Sequence, residues 1–165
     1  QQLIMLTPRG EKINQKLFED LTELNKIVML CGRYEGFDDR IRTHWKPREV
    51  SLGDFIINGG ELGAQVIIEG VTRLLPGAIG DPESARQDSF SSGLLDHRHF
   101  TKPQTFRGME VPEVLTSGNH ELIRKWRLED SLETTLLRRP ELLEKLELSK
   151  EEKRMLEEIR KKLNS

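Results

Sequence analysis

Residues 27–31, IVMLC, are apolar at five successive positions, and this run constrains the fold more than any other part of the chain. A strand wetted on one face alternates polar and apolar side chains. An unbroken apolar run bounded by Asn25 and Gly32 therefore needs cover on both faces, as a central strand of a parallel sheet has. LIML (residues 3–6), ending in a turn at Pro8, has the same character, and Ile13, Leu17, Leu21 and Leu24 recur at helical spacing between the two runs. REVSLGDFII (residues 48–57) predicts a third strand that stops at Asn58, Gly59 and Gly60. A helix is expected to follow, with Ala64, Ile67, Ile68, Val71 and Leu75 along one face. Strands alternating with helices give an α/β fold with a parallel sheet.

Nine of the thirteen glycines fall between Gly32 and Gly80, where the predicted strands end. Parallel sheets bind ligands at the carboxyl ends of their strands, so the ligand site is expected there. Gly32, Gly36, Gly53, Gly59 and Gly60 would bring backbone close to a flat ligand; any one of them alone reads more readily as a turn residue, and five at three successive strand exits shift the balance. No G-x-G-x-x-G and no P-loop occurs, which disfavours phosphate cradling.

From Pro76 to about Leu95 the chain turns to Gly, Pro, Ser, Asp and Gln, and beyond it helical patterning returns. The expected organisation is a ligand-binding domain over residues 1–78, a linker and active-site loop over 79–95, and a small all-helical domain over 96–165. Asn119 is placed to cap a helix carrying Leu122, Ile123 and Trp126. Ser149 with Glu152 forms a capping box for the last helix, whose exposed face offers the pairs Glu157–Lys161 and Glu158–Lys162.

The charge balance, 26 Lys and Arg against 28 Asp and Glu, excludes a uniformly basic coat, so any nucleic-acid surface is local. Residues 97–127 carry six Lys and Arg against three acidic residues, with three of the four histidines. Such a stretch suits backbone phosphates or, equally, a solvated helical face. At its start Asp96, His97 and His99 resemble a metal cluster at first sight. The absence of a cysteine partner and the usual need for three or four convergent ligands favour phosphate contact instead, and no metal site is assigned. Cys31, the single cysteine, permits no internal disulfide and reads as a small buried hydrophobe in a reducing compartment. Arg73 near a helix C-terminus has a sufficient role on the helix dipole, and Asp88 in ARQDSF reads as a turn or cap residue. No apolar run reaches the roughly 18 residues of a membrane span, and the opening residues lack the features of a signal peptide, so a cytoplasmic protein is expected. A strand beginning at the third residue with nothing to introduce it marks the chain as the expected fragment of a longer one.

Taken together and in order, LCGRYEGFDDR, SLGDFIINGGE, RLLPG, QDSF and GMEVPEVLTSGNH closely resemble the bacterial tRNA (guanine-N1)-methyltransferases, knotted enzymes that modify the guanosine 3′ of the anticodon. The resemblance implies an α/β domain with a deep trefoil knot, here without the family's N-terminal strand and helix region, followed by the helical domain. It implies S-adenosylmethionine held in three loops. The first comprises Met5, Leu6, Thr7 and Pro8, and the second Gly32, Tyr34 and Glu35. The third comprises Leu52, Gly53, Asp54, Phe55, Ile56, Ile57, Gly59 and Gly60. Asp88 matches the family's general base and Arg73 the group that steadies charge on guanine O6. His99, Lys102, Arg107, Asn119, His120, Arg124, Lys125 and Arg127 are the implied tRNA contacts. A homodimer with sites at its interface is implied, with no DNA or membrane partner, and magnesium dependence is suggested without a carboxylate cluster to define its site. A knotted methyltransferase acting on another RNA and a non-catalytic RNA-binding fragment are the competing readings.

Overall fold

Strand β1 (Gln2–Lys12) lies at the centre of a parallel sheet of order β2-β1-β3, flanked by β2 (Ile27–Cys31) and β3 (Arg48–Ser51). The computed structural model describes residues 1–78 and 88–163, and the chain divides into two compact units, Gln1–Ala85 and Arg86–Ser165. Part of the linker expected over 79–95 lies outside the described residues.

In the first unit the apolar runs form the sheet, but residues 27–31, expected as a central strand, make the edge strand β2 and are half-buried at all five positions, while LIML supplies the central strand. Ile4, Leu6 and Val50 from the sheet are buried with Leu17 and Leu21 of helix α1 (Gln15–Thr22) and Ile67 of helix α3 (Glu61–Thr72). Asn14 caps α1 by accepting the Leu17 N–H at 2.9 Å, which ends the Ile13 periodicity one residue outside the helix. On α3, Ala64 and Ile67 are buried and Val71 partly so, whereas Ile68 is exposed and Leu75 lies beyond the helix end.

Two strand boundaries differ from the sequence expectation. β1 does not stop at Pro8. Its pairing with β3 is interrupted between Leu6 and Glu11 and resumes opposite the same residue, Val50. Proline has no N–H to give a ladder, so the interruption falls where the ladder would lose a donor. Gly10 makes the return possible, because a Cβ there would lie 2.2 Å from the Val50 nitrogen. The third strand ends at Ser51 rather than at Ile57, since local turns replace the ladder. The Ser51 hydroxyl accepts the Gly53 N–H at 3.2 Å, and the Phe55 N–H reaches the Gly53 carbonyl at 3.0 Å. A further helix, α2 (Asp39–Trp45), occupies part of what reads as loop, capped by Asp38 through the Arg40 N–H at 2.9 Å.

In the second unit, helices His120–Arg138, Pro140–Leu143 and Lys150–Leu163 enclose Leu132, Leu143, Leu156 and Ile159. Leu94 joins that core from the segment assigned by sequence to the linker. The expected caps are present: the Asn119 side chain accepts the Leu122 N–H, and Ser149 and Glu152 exchange hydrogen bonds of 2.7 and 3.2 Å. Glu158 pairs with Arg154, and Lys162 with Glu129 of the neighbouring helix. The unit is not all-helical. A two-stranded hairpin, β4 (Thr105–Phe106) with β5 (Met109–Glu110), turns at Arg107 and Gly108, both at positive φ (52° and 76°). That pair of left-handed residues is the tight turn whose twist matches a hairpin.

Candidate functional site

β2 delivers the chain to Gly32 and β3 delivers it to Leu52, so both strands release their following loops at the same edge of the sheet. Between those loops lies a cavity of about 580 Å³, within the ordinary range for a small-molecule site. Its third wall is the excursion of β1 at Thr7, Pro8 and Arg9. Glycine at the closest approaches is a steric requirement. A Cβ on Gly60 would sit 2.9 Å from the Leu6 Cβ and 3.0 Å from the Cys31 Cα, and one on Gly32 would sit 2.7 Å from the Phe37 ring. The Gly60 N–H donates to the Gly32 carbonyl at 3.0 Å, and Arg33 bridges to Gly59, so the loops after β2 and β3 are clasped by backbone. Gly36, at φ 106°, makes a reversal that an L side chain would strain.

Of the residues expected to hold the cofactor, Leu6, Thr7, Pro8, Gly32, Tyr34, Glu35, Leu52, Gly53, Phe55, Ile56, Ile57, Gly59 and Gly60 line this cavity. Met5 does not: it is fully buried in the sheet, because strand alternation turns it away from the face that Leu6 presents. Asp54 also stands outside, exposed and ion-paired with Lys12. Sequence reasoning missed Arg9, Arg33, Phe37, Asp39 and Arg42 in the lining. Arg33, Phe37 and Asp39 carried a signal as part of LCGRYEGFDDR, whereas Arg9 had none and Arg42 belongs to the unrecognised α2.

Charge is organised on the cavity rim. Arg33 donates to Glu61 at 2.7 Å and holds that carboxyl below its usual range. Arg42, with a mostly buried side chain, binds Glu49 and Asp39, each at 3.0 Å, and the Glu49 contact raises its already high pKa. Burial, with Glu61 nearby, pushes the Cys31 thiol up. Tyr34 at positive φ is almost wholly exposed, and the apolar loop side chains Phe55 and Ile56 are exposed as well.

The family model of tRNA (guanine-1)-methyltransferase TrmD matches residues 1–145. The chain belongs to the tRNA (guanine-1)-methyltransferase family. Among its relatives, the tRNA (guanine-N(1)-)-methyltransferase of Moorella thermoacetica is 53% identical over 157 residues, 95% of this chain and 63% of its own length. Those of Anoxybacillus flavithermus and Dictyoglomus turgidum are 51% and 48% identical, over 96% and 98% of this chain and 65% and 66% of their own lengths. The chain therefore spans a little under two thirds of the length of these methyltransferases.

For a methyltransferase of this family, the two expected catalytic groups lie on separate units. Arg73, half-buried in the first, is the C-cap of α3, its N–H donating to the Glu69 carbonyl at 3.1 Å. Asp88, half-buried in the second, accepts the Ser91 N–H on its carbonyl at 3.2 Å, so the turn role read from sequence is real at the backbone. The expected tRNA contacts differ in availability. Arg124 is held by Glu121 and Glu151, and Lys125 by Glu121. Asn119 is occupied as a cap, His120 opens the helix it caps, and His99 lies against Asp96. Among the described residues Lys102, Arg107 and Arg127 are exposed and in no ion pair, Arg107 stacking over the Phe106 ring. Magnesium, a hard cation that takes oxygen ligands, does not fit what the described residues offer, since the group of potential ligands they bring together contains two histidines and one carboxylate.

Proposed function

We propose that this chain carries the cofactor pocket and a tRNA-contacting unit of an S-adenosylmethionine-dependent tRNA (guanine-N1)-methyltransferase acting on the guanosine 3′ of the anticodon. The observation that carries the reading is the glycine-walled cavity at the sheet edge, where backbone replaces side chains at Gly32 and Gly60, in a chain whose family is established. A flat purine and a short polar tail suit such a wall, with apolar cover from Leu6, Leu52 and Ile57 and polar partners from exposed backbone. When bound, S-adenosylmethionine supplies an electrophilic methyl group on a sulfonium sulfur.

Guanine N1 carries a proton at neutral pH and is not a nucleophile until that proton leaves. The Asp88 carboxylate accepts it, and the Arg73 guanidinium stabilises the negative charge that develops on O6. Residues lining the cavity exclude water and fix the donor for in-line transfer, so orientation supplies much of the acceleration. A deep trefoil knot belongs to this reading, supported by the clasp between the loops after β2 and β3. So does a homodimer, supported by the exposed Leu62, Val66 and Ile68 on α3. A cytoplasmic location accompanies a tRNA substrate, and among the described residues no helix is long and apolar enough to cross a membrane.

The test is methyl transfer to N1 of an unmodified tRNA transcript by the full-length protein. Asp88→Asn keeps size and hydrogen bonding but cannot take the proton, so the rate should fall by roughly 10² to 10⁴, with both ligands still bound. If Asp88 and Arg73 act from different subunits, mixed Asp88→Asn and Arg73→Ala dimers should regain part of the activity. A rate untouched by Asp88→Asn rejects the mechanism.

A further inference from the structure

The segment 95–99 is pinned through the backbone of Leu95, Asp96 and Arg98. The Leu95 N–H donates to the Thr135 hydroxyl at 2.9 Å and the Asp96 N–H to the Ser89 hydroxyl at 2.9 Å. Arg98 is drawn the other way, its N–H and its Nε each 2.7 Å from the carboxylate of buried Asp130. With Arg98 committed to that side, His97 and His99 emerge on the same face, as residues two apart do in an extended chain. Their rings stand 4.4 Å apart between centroids, and Asp96 lies between them. Asp96 Oδ2 is 2.7 Å from His99 Nε2, and Oδ1 is 3.7 Å from His97 Nε2. The three donor atoms fall within 4.8 Å of one another.

The tautomer of His97 follows from its other nitrogen. Nδ1 faces the Arg98 carbonyl at 3.0 Å, and a carbonyl only accepts, so Nδ1 carries the proton. In the neutral ring Nε2 is then an acceptor with a carboxylate oxygen 3.7 Å away, an arrangement that a cation between them would relieve. An imidazole whose far N–H is fixed on a backbone carbonyl is also the usual posture of a metal-binding histidine. We propose that Asp96, His97 and His99 form a site for a borderline divalent transition metal, zinc first among them, with water in the fourth position on the exposed His99 side. Zinc bonds of about 2.0–2.2 Å in tetrahedral array set donor atoms about 3.4 Å apart, a spacing these side chains reach by small rotations. His99 then exchanges its Nε2 proton for the metal, and its exposed Nδ1 is free to carry a proton in water. Asp96 Oδ1 already accepts the His97 N–H at 2.7 Å, which leaves Oδ2 as the carboxylate ligand. The sequence alone disfavoured metal here for want of a cysteine partner and of three or four convergent ligands, and the Arg98–Asp130 anchor accompanies the convergence of the three.

The site is independent of the methyl-transfer reading, and its test reads metal binding alone. Tag-free, chelator-dialysed protein is titrated with Co²⁺, followed by its visible d–d absorption, and the Co²⁺ is then displaced with Zn²⁺. One ion per chain is expected, with tetrahedral-type bands and without the near-ultraviolet band of a thiolate ligand. His97→Ala and His99→Ala should each weaken binding at least tenfold. A thiolate band would move the ion to Cys31, and failure to saturate at one ion per chain, or an unchanged affinity in His97→Ala, would overturn the site. Should a variant fail to fold, ¹H–¹⁵N ring correlations of the unmodified protein decide. Zn²⁺ must shift the Nε2 resonances of both His97 and His99, and unmoved resonances would leave the trio a hydrogen-bonded cluster only.

Discussion

Gly60→Ala isolates the steric claim on which the pocket rests. Gly60 has φ −78° and ψ −6°, where alanine is comfortable, so no backbone strain accompanies the change. The added methyl carbon would lie 2.9 Å from the Leu6 Cβ and 3.0 Å from the Cys31 Cα, and the latter is sheet backbone that cannot rotate aside. Carbon atoms rest about 3.5–4.0 Å apart, so the shortfall is roughly 0.5–1.0 Å against each neighbour. Overpacking of that order costs about 2 kcal/mol. Alanine returns about 0.4–1 kcal/mol by narrowing the unfolded ensemble. The net loss of about 1–1.6 kcal/mol should lower the melting transition of a unit this size by roughly 5–12 °C. Gly59→Ala is the matched control, since its Cβ meets the carboxylate end of Glu61, a flexible side chain that swings away. It should stay within about 0.5 kcal/mol of the parent. Circular dichroism melts give the stabilities, and calorimetry with S-adenosylmethionine should show at least a tenfold loss for Gly60→Ala as the Gly32–Gly60 clasp opens. Equal melting of Gly60→Ala and the parent, or a larger loss in Gly59→Ala, would refute the reasoning.

In the second unit, Leu132→Ala removes a fully buried side chain and should cost about 2–5 kcal/mol in chemical denaturation. Asn119→Ala loses the cap of the long helix and should cost about 1 kcal/mol by the same measurement. If tRNA phosphates meet this unit, Arg127→Gln should reduce the log–log salt slope of tRNA binding by about 1. Arg124→Gln, whose arginine is already neutralised by Glu121 and Glu151, should reduce it by clearly less. Because burial raises the Cys31 thiol, alkylation of Cys31 should rise with pH at a midpoint above the roughly 8.5 of a free thiol, as read by mass spectrometry.

Elements with a strong apolar pattern were legible from sequence: residues 27–31 became β2, though at the sheet edge and half-buried rather than central, and Leu17 and Leu21 became the inner face of α1. The caps at Asn119 and Ser149 were legible because the capping side chain lies within three residues of its partner. Boundaries set by contacts distant in sequence were not. Nothing near Pro8 announces that β1 will rejoin Val50, and nothing near Leu94 announces a place in the core around Leu132. The pocket was located through glycines and a family likeness, while Arg42 escaped because it sits on a short helix held by Glu49 rather than by an apolar stripe. Met5 lies outside the lining because the alternation of a strand turns it from the wall that Leu6 forms.

The excursion of β1 opposite Val50 separates two kinds of evolutionary change. In an ordinary strand an inserted residue slips the register and turns every later side chain to the wrong face. Here the chain leaves Val50 at Leu6 and returns to Val50 at Glu11, so the residues between occupy no length of sheet at all. Insertions or deletions among Thr7, Pro8 and Arg9 can deepen or shallow the cavity wall while the hydrophobic face stays in phase, provided Gly10 keeps its place against the Val50 nitrogen. The segment is a length-neutral cassette, through which ligand preference can drift without the sheet having to be refolded around it.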